Sequence, residues 1–449
     1  MKDSSIPAAS SPASMAQPAI VTRFARQAVL TRLGSLQHGH LTIVDGNERL
    51  TFGTLSQDCP LAATLFVHDP RFYRDIAFGG DIGAGEAYMD GFWSCDDLTT
   101  LVRLLLRNRD TIERMAKGLA RLTAPLRHLF HLLRRNSKTG SQRNIAAHYD
   151  LGNNFFSAFL DETMTYSCGI FYRPDSTLQE ASIAKLERIC HKLQLAPTDQ
   201  LLEIGTGWGS FAIHAAQRYG CQVTTTTISR QQYELARQRI ADAGVSHRVT
   251  VLCEDYRNLT GQYDKLVSIE MIEAVGHAYY DTYFRCCSNL LKPEGMMLLQ
   301  AITLADQQYE RAKRSVDFIQ RHIFPGSCIP SVTAICQSLT RATDLRLFHL
   351  EDMTPHYATT LRCWRERFFS NVHQVRALGY PEAFLRMWEF YLCYCEGGFQ
   401  ERAVGDVQML LTKPFCRREP ILPALTEQGY QWDFRRNPTG SERLGDTPT

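Results

Sequence analysis

The run Leu201-Leu-Glu-Ile-Gly-Thr-Gly-Trp-Gly-Ser210 constrains this chain more than any other feature. Leu201, Leu202 and Ile204 suit a strand covered on both faces, Gly205, Gly207 and Gly209 permit a turn that side chains would block, and Phe211, Ile213, Ala215 and Ala216 continue at helical spacing. A strand that breaks through a bare turn into a helix leaves a backbone ledge for a nucleotide-like ligand. The spacing Glu203-x-Gly205-x-Gly207-x-Gly209 is not the G-x-G-x-x-G of a pyrophosphate turn, and no Lys with Ser or Thr follows as in a P-loop. An adenosyl-amino-acid cofactor fits this turn better than a dinucleotide.

The β-branched stretch Cys221–Ile228 follows one helix length later, and Ser229 then caps a helix expected to run to about Ala243. Further strands are expected at Val249–Glu254, Lys265–Glu270 and Met296–Ile302. Five parallel strands make a doubly wound sheet whose carboxyl ends deliver Glu203, Thr227, Asp255 and Glu270 to one crevice. Leu345–Met353 reads as a sixth strand and Asp406–Thr412 as a seventh, antiparallel one. Between the fifth and sixth strands, residues 303–341 carry Phe318, Ile319, Ile323, Phe324 and Ile329, as a helical cap with an apolar underside would, and as ordinary core packing would too.

With 449 residues and 44% hydrophobic content the chain supports more than one domain. A net charge of +2 gives no argument for nucleic acid. No run reaches the ~18 apolar residues needed to span a bilayer, and the first thirty residues lack a signal-peptide apolar core, so a cytoplasmic location is expected. Fourteen cysteines without a C-x-x-C pair read as reduced packing thiols, and no metal site is expected. Charge is concentrated in residues 101–143, where eleven Lys and Arg face only Asp110 and Glu113, a net +9. Leu119, Leu122, Leu126, Phe130 and Leu133 run beside Arg121, Arg127, Arg134 and Arg135. That stripe suits an anionic membrane surface, and it equally suits a solvated linker helix.

Six motifs occur in order: Ala147-His-Tyr-Asp-Leu-Gly-Asn-Asn-Phe155, Met164-Thr-Tyr-Ser-Cys-Gly-Ile-Phe171, Leu202–Gly209, Thr227-Ile-Ser-Arg-Gln-Gln232, Ser268-Ile-Glu-Met-Ile-Glu-Ala-Val-Gly276 and Ile323-Phe-Pro-Gly-Ser-Cys-Ile-Pro-Ser331. Together they resemble cyclopropane-fatty-acyl-phospholipid synthases and the related mycolic acid cyclopropane synthases, over roughly residues 75–412. Gly83–Trp93 resembles the small lipid-facing domain of the phospholipid-acting members. The resemblance implies an α/β protein with a seven-stranded, doubly wound, Rossmann-like methyltransferase sheet, a helical cap and a smaller N-terminal lipid-facing domain. The expected division is a disordered N-terminus (1–20), an N-terminal lipid-binding domain (21–115), a basic amphipathic linker (116–143), a catalytic domain (144–414) with its cap (303–341), and a C-terminal tail (415–449).

The resemblance further implies S-adenosylmethionine as cofactor, with Tyr166 and Ser167 at its methionine end, Gly205 and Gly207 beneath it, Glu203 beside the turn, Thr227, Ile228 and Gln232 near the ribose, and Tyr256 with Arg257 at the adenine. It implies a bicarbonate ion held by Cys168, Glu273, Gln300, Ile302 and Tyr357, with Glu273, Cys168 and Tyr357 as catalytic residues; Cys168 could act through its backbone rather than its sulfur. The implied reaction adds a methylene across a cis double bond of phospholipid acyl chains through a carbocation, which needs a base in a dry pocket. Aromatic faces at Tyr357, Phe171 and Tyr166 would stabilise the cation. Gln300 stands where many members have His, and Ala274 where some have a larger side chain. An amide can donate to an anion but cannot carry a proton, so a methylene or methyl-branched product is the alternative. Expected partners are unsaturated membrane phospholipids, through peripheral contact with the inner face of the membrane, and no nucleic acid; a homodimer is left open.

Overall fold

In the N-terminal part, Gly46 (φ +59°) and Asn47 turn β1 (Gly39–Asp45) back on β2 (Glu48–Thr54), a backbone that residues with a Cβ rarely take. β3 (Ala62–Val67) pairs parallel with β1, and β4 (Trp93–Cys95) closes a sheet of order β2-β1-β3-β4. Helices Ala13–Leu33, Arg71–Met89 and Leu98–Arg107 share one core with it. The computed structural model describes residues 13–109 and 151–421, without the side chains of 13–19. The basic linker 116–143 and residues 147–150 of the first motif therefore lie outside the described residues.

One expectation changes here. The first helix begins inside the stretch expected to be disordered, because Ala25 and Val29 bury against the small sheet and anchor it. Within the Gly83–Trp93 motif, Tyr88 is 5% and Trp93 3% exposed, so these rings belong to the core.

The main sheet contains β5 (Gln200–Ile204), β6 (Gln222–Thr227), β7 (Val249–Cys253), β8 (Tyr263–Ile269), β9 (Leu291–Leu304), β10 (Arg346–Asp352) and β11 (Val404–Thr412). Its order is β10-β11-β9-β8-β5-β6-β7, with β11 antiparallel to both neighbours and the rest parallel, as the sequence reading expects. The strand order reverses after β5, so the glycine turn sits at a topological switch point, where such sheets open a crevice. Ser229 caps the helix Arg230–Asp242 by accepting from Gln232 N–H, and Thr177 and Glu180 form a reciprocal capping box on the helix Leu178–Leu193.

Residues 303–341 are helical as expected, with short helices Asp306–Ala312, Phe318–His322 and Val332–Ala342. Among the described residues the N-terminal and catalytic parts belong to one unit, which ends at Cys416. The helix Glu382–Gln400 joins them. Tyr88 Oη donates to Glu389 at 2.7 Å, Arg386 donates to Trp93 O at 2.7 Å, and Arg103 and Arg107 both pair with Glu401 at 2.7 Å. A Cβ at Gly397 would stand 2.8 Å from Val102 Cγ1, so this contact requires glycine. Among the described residues no helix is long and apolar enough to cross a membrane. The fourteen cysteines are thiols rather than disulfides.

Candidate active site

Gly205, Gly207 and Gly209 have φ of +103°, +53° and +86°, which is the left-handed geometry the turn demands. A Cβ built at Gly207 meets nothing within 4 Å. One cavity opens there, and all ten residues expected at the cofactor line it: Tyr166, Ser167, Glu203, Gly205, Gly207, Thr227, Ile228, Gln232, Tyr256 and Arg257. Their side chains are held by near neighbours. Thr227 Oγ1 donates to Gln232 Oε1 at 2.8 Å, and Arg257 pairs with Asp255 at 2.6 Å while its guanidinium lies 5.4 Å from the Tyr256 ring centre. Arg257 is thus a neutralised wall of the cavity. Glu203 accepts from Thr225 Oγ1 at 2.6 Å, and burial pushes its carboxyl up to about 8, so it is largely protonated at neutral pH.

The ends of β8 and β9 carry a second cluster. Glu270 follows β8 at φ +49°, an uncommon backbone for a residue with a Cβ and one that tends to mark functional sites. Its Oε1 accepts from the Cys168 N–H at 2.8 Å and from Gln300 Nε2 at 2.7 Å, and its Oε2 accepts from Tyr357 Oη at 2.5 Å. The direction of the Gln300 amide is set from a distance. Lys192 Nζ, which can only donate, reaches Gln408 Oε1 at 2.7 Å, and Gln408 Nε2 donates to Gln300 Oε1 at 3.1 Å. Gln300 must therefore present its donor to Glu270, and at 3.3 Å to Asp406 Oδ2.

Glu273 Oε1 accepts from the Ile302 N–H at 2.5 Å, while Glu273 Oε2 and Asp406 Oδ1 are buried without a partner. Burial and the charge of Glu270 push Glu273 up to about 8, and the same causes push Asp406 well above the carboxylate range. Burial also raises Glu270, but its three donors and the nearby Lys185 oppose that rise. Lys185, 1% exposed, donates to Ser167 Oγ at 2.9 Å. Three donors point at the Glu270 oxygens, whereas Glu273 Oε2 and Asp406 Oδ1 have none. Burial holds Cys168 as a neutral thiol, so its contribution is the backbone N–H.

The five residues expected to hold bicarbonate do come together, but they do not fit that ion. Cys168, Gln300 and Tyr357 already donate to Glu270, and the Ile302 N–H already donates to Glu273. An anion among them would meet the Glu270 carboxylate in a water-poor pocket without a free donor from these groups, and like charges repel strongly there.

An aromatic wall adjoins the cluster. Tyr357 stacks on Phe399 with ring centres 4.3 Å apart, Tyr166 lies 5.1 Å from Trp364, and the hydroxyls of Tyr166 and Tyr391 are 2.9 Å apart. The site residues missed from the sequence are Lys185, Asp406 and Tyr391, together with the role of Glu270. Lys185 had a signal: it interrupts the apolar stripe of its helix, where Leu178, Ala181, Leu186 and Ile189 are buried.

The family model for mycolic acid cyclopropane synthetase matches residues 136–409. The chain belongs to the mycolic acid cyclopropane synthetase family. Within this family it is 42% identical over 363 residues to the tuberculostearic acid methyltransferase UfaA1 of Mycobacterium tuberculosis, covering 79% of this chain and 84% of that protein. It is 37% identical to the cyclopropane-fatty-acyl-phospholipid synthase of Escherichia coli, covering 82% of this chain and 92% of that one. The crystal structure of mycolic acid cyclopropane synthase CmaA1 complexed with SAH and CTAB superposes with a TM-score of 0.57 at 33% identity, covering 61% of this chain and 98% of CmaA1. This synthetase-family chain is a methyltransferase.

Proposed function

We propose that this enzyme transfers one carbon from S-adenosylmethionine to a cis double bond in the acyl chain of a membrane phospholipid, forming a cyclopropane ring. The observation that carries the reading is the junction of a glycine-floored cavity with a buried, aromatic-walled carboxylate cluster. When bound, S-adenosylmethionine supplies an electrophilic methyl group on a sulfonium. The cavity residues fit it: Gly207 leaves room where a side chain would intrude, Tyr166 and Ser167 reach the methionine end, Thr227, Ile228 and Gln232 the ribose, and Tyr256 with Arg257 the adenine.

The alkene needs no deprotonated nucleophile on the protein. The chain's own task is to exclude water, face the developing positive charge with rings such as Tyr357 and Tyr166, and hold a base near the transferred carbon. A methylene or methyl-branched product is the second reading. It is favoured by the 42% identity to a tuberculostearic acid methyltransferase. The basic segment 101–143 is assigned to peripheral contact with an anionic bilayer, although Arg103 and Arg107 are already paired with Glu401.

The test is transfer of label from methyl-tritiated S-adenosylmethionine into vesicles of unsaturated phosphatidylglycerol across a salt series, with mass spectrometry of the acyl chains. Cyclopropane chains, formed more slowly as salt screens the surface, are expected. Label in protein or small molecules alone would refute the lipid reading.

A further inference from the structure

Resting on that reading, we propose that the Glu270 carboxylate is itself the base that takes the proton from the transferred carbon, so that catalysis needs no bicarbonate ion. The donors around it are arranged for a fixed carboxylate: Cys168 N–H and Gln300 Nε2 saturate Oε1, and Tyr357 Oη makes one bond to Oε2, which keeps a lone pair. Glu270 lines the same cavity as the glycine turn. The backbone φ of +49° at this position brings the side chain into the site from a strand end at the expense of local strain.

Other groups nearby suit the task less well. Glu273 and Asp406 hold their protons, and Lys185 is engaged with Ser167 Oγ. Gln300 also finds a reason in this arrangement. A group that only donates, locked by the Lys192–Gln408 relay, steadies a resident carboxylate and never competes with it for the proton.

The step balances. The alkene π pair forms a C–C bond to the methyl carbon as the S–CH3 bond breaks, its electrons going to sulfur, and the other alkene carbon becomes cationic. Glu270 Oε2 then takes a proton from the transferred carbon, and the freed C–H pair closes the three-membered ring. The products are the cyclopropane chain, S-adenosylhomocysteine and a proton that leaves Glu270 to solvent.

The experiment measures wild-type transfer into unsaturated phosphatidylglycerol vesicles in carbon-dioxide-stripped buffer and after bicarbonate is added back, beside the Glu270→Gln variant. Wild-type turnover is expected to stay within about twofold with and without bicarbonate, while Glu270→Gln loses on the order of 10²-fold or more with S-adenosylhomocysteine affinity nearly unchanged. Wild-type turnover that collapses on stripping and returns with bicarbonate overturns the proposal, as does a Glu270→Gln variant of normal rate. If Glu270→Gln does not fold, the bicarbonate series on the wild type decides alone. Absence of any labelled lipid overturns the substrate reading and this proposal together, whereas bicarbonate-dependent labelling overturns this proposal only.

Discussion

Along β5 and β6 and just past β7 the cofactor wall is tied by contacts close in sequence: Thr225 to Glu203 across 22 residues, Thr227 to Gln232 across 5 and Arg257 to Asp255 across 2. Glu270, on the opposite wall, is held by Cys168, Gln300 and Tyr357, which are 102, 30 and 87 residues away. The first wall is a local motif that any strand–turn–helix of the right sequence rebuilds. The second exists only when β8, β9 and the helix Thr354–Ser370 are assembled. Binding should therefore be broken by changes to the first wall and chemistry by changes to the second, with little crossover.

The largest effect is expected from Gly207→Val. Its Cβ would enter the open cavity, and a β-branched residue at φ +53° is strained by about 1–2 kcal/mol, so cofactor binding should vanish by calorimetry while circular dichroism stays native. Unchanged affinity in a folded variant would mean that the glycines shape a turn and nothing more.

Lys185→Met probes the second wall. Lys185 is the positive charge that acts against the burial of Glu270, amid Tyr357, Cys168, Gln300, Glu273 and Asp406. Removing it raises the Glu270 pKa further, so the base stays protonated to higher pH. Turnover at pH 7 should fall, and the acid limb of the rate profile should move upward. An acid limb that stays in place breaks the comparison.

The smallest effect belongs to Glu273→Gln. Glu273 holds its proton up to about pH 8, against an ordinary value of 4.5, so the folded protein keeps a proton that the unfolded chain releases. This contribution to stability is full below about pH 4.5 and is lost as pH rises toward 8. Gln keeps the acceptor for the Ile302 N–H without titrating. The variant should lose less melting temperature than the parent between pH 5 and 8, and its turnover at pH 7 should drop by less than about tenfold. A parallel decline in both proteins would show that Glu273 is ionised throughout that range.

The antiparallel end of the sheet, the Ser229 cap and the helical segment 303–341 were legible, because alternation, capping residues and glycine spacing act over a few residues. The Gly83–Trp93 motif was legible as a motif, but what covers it was not. What buries it is the helix Glu382–Gln400, three hundred residues downstream, through Tyr88 to Glu389 and Arg386 to Trp93. Glu270 could be placed at a strand end from the sequence, but its partners could not, since one acid among others at strand ends carries no local mark of its three donors.

The sequence by itself determined the order of strands and helices and the bare turn under the cofactor wall, because those depend on backbone freedom and side-chain periodicity over short spans, while the residues expected to line that wall came from the family resemblance. Only the tertiary structure decided where the charge rests in the second cluster. Whether Glu270, Glu273 or Asp406 keeps its proton depends on burial and on which donors from distant strands and helices point at each oxygen, and that geometry exists only after the sheet, Lys185 and Tyr357 have packed together.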